Sequence, residues 1–200
     1  MTCIRIPVAV ALLACLGLSG AAAAVDGGVP GGWTIEPGTA QPSYAVVEPT
    51  RTNLNIDAVV LACEEAWGSR VLQFQLYLTD DGPLRPVYPD TKPLKDDPRA
   101  EIVIDGRTFP ASLLFADDYA VVTDAQEGPF PLLSDRLLAA LQAGKTMTLR
   151  FDLLAEWSGF PTFDGEAVVH LGAPGGSQAI AAMRHCADAD QPLVAGSARP

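Results

Sequence analysis

The chain has 200 residues, with 24 Asp and Glu against 13 Lys and Arg, for a formal charge of −11. Only Arg5 of the basic residues and none of the acidic ones precede residue 25, so the remainder carries 12 positive against 24 negative groups, a charge of −12. Such a surface repels nucleic acid and anionic headgroups, and no nucleic-acid partner is expected; its acidity serves solubility first and favours cationic partners second.

The opening MTCIRIPVAVALLACLGLSGAAAAVDGG has a positive residue at Arg5, an apolar run from Ile6 to Leu18 and small residues at 22–24. That is the layout of an exported chain's signal peptide, expected over residues 1–24 with the mature protein starting near Val25. A bilayer-spanning helix needs about 20 apolar residues, more than this run supplies, and no later stretch is long enough either. The alternative is lipidation at Cys15, since "LLAC" resembles a lipoprotein cleavage box. The 176 residues that follow suit one domain, expected over 43–188, after an irregular Gly- and Pro-rich lead-in at 25–42 with Trp33 as an anchor and before a flexible tail at 189–200.

Within the domain, "SYAVVE" (43–48) and "NIDAVVLACEE" (55–65) read as strands, the second with Val59, Leu61 and Cys63 on one face. "RVLQFQLYL" (70–78) alternates cleanly: Leu72, Phe74, Leu76 and Leu78 face one way, and Gln73, Gln75 and Tyr77 the other. "EAWGS" between them predicts a hairpin loop. Residues 79–98 hold five prolines and predict a long ordered loop. "AEIVIDGRTFPAS" predicts two strands about an Asp105-Gly106 turn, and "YAVVTD" (119–124) another strand.

The period then changes. Leu133, Leu137 and Leu141 recur every four residues, with Ser134 as N-cap and Gly144 as stop. "KTMTLRFDLL" (145–154) and "EAVVHLGA" (166–173) return to alternation, with Met147, Leu149, Phe151, Leu153, Ala167, Val169 and Leu171 inward. "GGSQAIAAMRHCA" predicts a final helix capped by Ser177, whose stripe is Ala179, Ala182, Met183 and Cys186. The expected fold is mainly β within the α+β class: an antiparallel, β-sandwich-like domain with one internal and one C-terminal helix.

Beyond Cys3 and Cys15 in the signal region, Cys63 and Cys186 are the only cysteines. An exported protein with two cysteines usually oxidises them, and both fall on apolar faces, so they are the expected disulfide. Adjacent helix residues point about 100° apart, so His185 does not face Cys186 as a catalytic base. "GGSQA" lacks the final Gly of a nucleophile elbow. The paired spacing of a zinc site is missing, and Asp80-Asp81, Asp96-Asp97 and Asp117-Asp118 do not form a calcium loop. Neither a catalytic residue, a metal site nor a cofactor is indicated. The less ordinary stretch is "AEWSGFPTF", which sets Trp157, Phe160 and Phe163 in a strand-to-strand connection. These rings either offer a recognition patch to a partner or fold over the sheet end and plug the core.

The pattern "LLSDRLLAALQAGKTMTLRFDL … FDGEAVVHLGAPGGSQAIAAMRHC" resembles small secreted alphaproteobacterial proteins related to the invasion-associated locus B family. The resemblance spans roughly residues 130–187 and implies an exported β-sandwich-like domain without enzyme activity, with no catalytic residues to carry over. Trp33 lacks the nearby cysteine expected there, and the Pro-rich segment 79–98 has no counterpart.

Together these readings point to an exported, non-catalytic binding or accessory protein, periplasmic or secreted, whose partner is another protein or a cell-envelope component. The alternative is a periplasmic hydrolase whose carboxylates the sequence does not single out. Mass spectrometry of the protein recovered from its native cell is expected to find Val25 or a near neighbour at the N-terminus; a diacylglyceryl-modified Cys15 would establish the lipoprotein instead.

Overall fold

The computed structural model describes residues 31–66, 68–79, 82, 84, 94–116, 119–154 and 163–188. The expected signal peptide, the tail at 189–200, and Asp80-Asp81 and Asp117-Asp118 lie outside these residues. The elements in chain order are β1 (Thr34–Ile35), β2 (Tyr44–Val47), β3 (Arg51–Thr52), β4 (Ile56–Ala66), β5 (Ser69–Leu78), β6 (Leu94–Ile104), β7 (Arg107–Phe115), β8 (Tyr119–Thr123), β9 (Ala125–Glu127), β10 (Phe130–Leu132), α1 (Asp135–Ala143), β11 (Thr146–Leu154), β12 (Gly165–His170) and α2 (Gly176–Asp188).

Ten strands form one antiparallel sheet in the order β1-β2-β4-β5-β8-β7-β6-β11-β12-β3, and β9 and β10 pair separately. β2 lies near one end of this order and β3 at the other, yet only residues 48–50 separate them in the chain. Those residues reach about 14 Å at full extension, whereas a flat sheet would set the two strands roughly 38 Å apart at 4.8 Å per strand. The sheet therefore curls until its ends meet. Across the meeting line the Thr50 N–H donates to the Val168 carbonyl at 2.8 Å and the Thr52 hydroxyl to the Glu166 carbonyl at 2.9 Å. Arg51 pairs with the Glu166 carboxylate, and the Asn53 side-chain oxygen accepts the Glu166 N–H at 2.7 Å. The mainly β fold with one internal and one C-terminal helix is as expected. The ten strands run as one curled ladder, which does not by itself establish the two layers of a sandwich.

The period-2 pattern fills the inside of the curl. Phe74, Leu76, Leu61, Leu149 and Phe151 are all fully buried, and each such side chain contributes roughly 1.5–3 kcal/mol. Strand direction places Cys63, Leu72, Ile104, Met147 and Val169 toward one mouth, which α1 and α2 close, α2 lying against β2, β4, β5 and α1. At the opposite mouth Leu84 is buried, its N–H held by the Asn55 side-chain oxygen at 3.0 Å.

Several local expectations change in detail. The lead-in is not wholly irregular: β1 pairs with β2, Trp33 is buried, and its indole N–H donates to the His170 carbonyl at 3.2 Å. Residues 94–98, expected in the loop, belong to β6, which extends the Asp105-Gly106 hairpin; both turn residues have positive φ, as a tight two-residue turn requires. Ser134 caps α1 as expected, accepting from the Leu137 N–H. Gly144 does follow α1, but with extended backbone; it is small because a Cβ there would lie 2.5 Å from the Ile104 methyl. Ser177 is not the cap of α2, which starts one residue earlier at Gly176. Gly176 sits so close to the chain that a Cβ would overlap the Leu171 carbonyl oxygen, and one on Gly175 would lie 2.6 Å from the Trp33 carbonyl oxygen. The Gly-Gly pair thus serves close packing against Trp33.

Cys63 on β4 and Cys186 on α2 come together with their Cα atoms 6.4 Å apart at a sequence separation of 123. This separation falls in the range a disulfide bridges without backbone movement. A crosslink closing so long a loop stabilises by about 4–5 kcal/mol in the chain-entropy treatment, an upper figure. Peptide mapping without reductant is expected to find Cys63 linked to Cys186; two free thiols in protein taken from an oxidising compartment would show that the fold does without the bridge.

Candidate binding site

β4 is apolar on both faces. Val59, Leu61 and Cys63 point into the curl, and Ala58, Val60 and Ala62 lie on the opposite, outer side. A strand with a solvated outer face should alternate with polar residues, so this doubled pattern marks a surface that is covered or used. Registration sets Val46 and Gln75 on either side of Val60, Tyr44 beside Ala62, and Tyr77 beside Ala58. The small side chains of β4 form a floor and the larger ones of β2 and β5 form walls. The result is a trough of about 460 Å³.

The walls are aromatic and partly solvated: Tyr44 is 37% and Tyr77 42% exposed, against 6% for Val60 on the floor. Tyr77 is braced from behind by Tyr119 of β8, the rings stacked 5.6 Å apart and 24° from parallel. Gln75, expected on a solvated face, is buried, and its amide donates to the Glu64 carboxylate at 2.7 Å. That bond fixes a negative group at one end of the trough. Asp57, the extra residue where the β4–β5 register shifts, stands at the other end. Gln73 is buried too, donating at 2.7 Å to the Pro131 carbonyl of the β9–β10 hairpin, an element the sequence pattern did not single out. At the rim, the Glu36 carboxylate accepts both the Ser43 N–H at 2.7 Å and the Ser43 hydroxyl at 2.9 Å. The backbone bond first, and then the hydroxyl, hold the Glu36 carboxyl below its ordinary pKa.

The trough offers small apolar side chains and tyrosine rings between two carboxylates. Asp57 and Glu64 lie seven residues apart on one strand, roughly 20 Å at 3.2–3.4 Å per residue less the bulge. Paired carboxylates for glycoside hydrolysis must be about 5–10 Å apart, so these two cannot act as such a pair. Among the described residues no group of three His, Cys, Asp or Glu is placed to hold a metal ion. His185, beside Cys186, is exposed on α2.

Of the aromatic residues expected to meet a partner, Trp157 and Phe160 lie outside the described residues. Phe163 is half-buried, and the Arg150 guanidinium lies 4.2 Å from its ring centre. Arg150 also reaches Glu101 at 3.4 Å, so Phe163 is tied to β11 and takes no part in the trough. Tyr77 was legible as an outward residue, but its neighbours in space were not. The signal that could have found them is the apolar outer face of β4.

The chain matches no protein-family model, no curated protein and no solved structure.

Proposed function

We propose that this chain is an exported binding or accessory protein without chemistry of its own, acting in the periplasm or at the cell surface through the trough on the outer face of β2, β4 and β5. The trough carries the reading: a floor of small apolar side chains between exposed tyrosines, one of them braced by a second ring, is the anchor-bearing surface that partner contacts use. Export is supported by the charged and apolar opening of the chain and by the approach of its two later cysteines, which an oxidising compartment would join. The resemblance to secreted proteins related to the invasion-associated locus B family agrees with a non-enzymatic role.

A photo-reactive amino acid placed at Tyr77 in the exported protein tests this in the native cell. Irradiation is expected to give discrete adducts from position 77 and none from a control at Thr108, which is exposed on β7. No adduct at position 77, or the same adducts from both positions, would remove the trough as the contact surface.

A further inference from the structure

The charges of the trough point to the chemistry of its occupant. Its described lining residues include Asp57 and Glu64 and no Lys, Arg or His. Neither carboxylate has a cationic partner among the described residues, and Glu64 is held in place by Gln75. Both are exposed; an anion would be repelled by them, and an uncharged ligand would gain nothing from their charge. A cation gains from them and from the exposed ring of Tyr44, whose π face attracts ammonium and guanidinium groups. The net charge of −12 beyond residue 24 steers the same kind of partner toward the surface.

The spacing of the charges sets the occupant's shape. Two carboxylates roughly 20 Å apart along one strand lie beyond the reach of a single small cation, but they match an extended chain with the same rise per residue. Between them, the positions of Ala58, Val60 and Ala62 repeat every second residue, the period at which an extended peptide presents one face. The stem of a Lys or Arg packs on such a floor while its head stays at the carboxylate.

Resting on the reading of the trough as a contact surface, we propose that it takes an extended peptide segment of a partner protein, with basic residues about six positions apart and small apolar residues on the same face between them. The interaction is electrostatically steered and weakens with salt.

The test uses the oxidised protein, labelled with ¹⁵N, and the capped peptide Lys-Ser-Val-Ser-Val-Ser-Lys, whose odd positions share one face when extended. Its amide-shift titration is compared with those of the same peptide carrying Gln or Glu in place of both Lys, and of spermidine. The Lys peptide is expected to shift the amides of Val46, Val60, Gln75 and Tyr77 and to bind at least several-fold tighter than the Gln peptide. Asp57→Asn and Glu64→Gln are expected to weaken it about two- to fivefold each, as removal of a solvated ion pair does. Equal binding of the Gln peptide at the trough would overturn the charge requirement while leaving the contact surface standing. Spermidine binding as tightly as the Lys peptide would overturn the extended-chain requirement. No binding of the Lys peptide, or a preference for Lys that survives both substitutions, would overturn the proposal outright. Shifts confined to residues away from β2, β4 and β5 would overturn the contact surface as well.

Discussion

Three residues between Val47 and Arg51 set the shape of this molecule. They join strands that sit at opposite regions of a ten-stranded order, and a backbone of that length cannot cross a flat sheet. Curling is thus a demand of chain connectivity, to which the usual right-handed twist of strands contributes the direction. The seam formed where the ends meet is held by backbone bonds from Thr50 and Asn53 and by the side chains of Arg51, Thr52 and Asn53. Trp33 adds a second tie near one mouth. Its N–H donates to the Pro174 carbonyl at 2.9 Å and its indole to His170, and the Gly175-Gly176 pair is small enough to let the ring settle.

Once the sheet has curled, the two faces have different fates. The inner face is filled with large apolar side chains, and its mouths are closed by the two helices and by Leu84. Packing of that kind contributes stability. On the outside, the β9–β10 hairpin covers Gln73, and the ladder from β6 to β12 carries charged pairs such as Arg150 with Glu101 and Arg99 with the fully buried Asp152. The stretch across β2, β4 and β5 differs from both. It is apolar at its floor, aromatic at its walls and acidic at its ends.

Local patterns were legible in the sequence wherever one side of an element faces the core. The alternation of β11 and β12 and the four-residue repeat of α1 named their buried residues correctly, because period and burial have the same physical origin. The approach of Cys63 to Cys186 was legible from count and face, although its geometry depends on how α2 docks. Long-range registration was not legible. Nothing in residues 43–48 or 70–78 says that Tyr44 and Tyr77 flank the same floor, since that follows from strand order. The strand character of 94–98 was hidden by turn-forming residues; β6 continues through them past a register shift, with Leu94 opposite Leu154 of β11. The aromatic pattern of one connection was legible as Trp157, Phe160 and Phe163, of which Phe163 carries the Arg150 guanidinium over its ring, while the grouping of tyrosines on separate strands was not.

If closure of the sheet governs the fold, the seam must open only when the whole domain does. Native-state hydrogen exchange reads this directly, amide by amide. The N–H groups of Trp33, Thr50 and Asn53, which donate across the closure to Pro174, Val168 and Glu166, are expected to exchange with the same free energy and denaturant dependence as Leu61 and Phe74 in the central ladder. Fast, denaturant-independent exchange of those three amides while β4 and β5 stay fully protected would show a sheet that is stable while open at its seam, and would contradict the account.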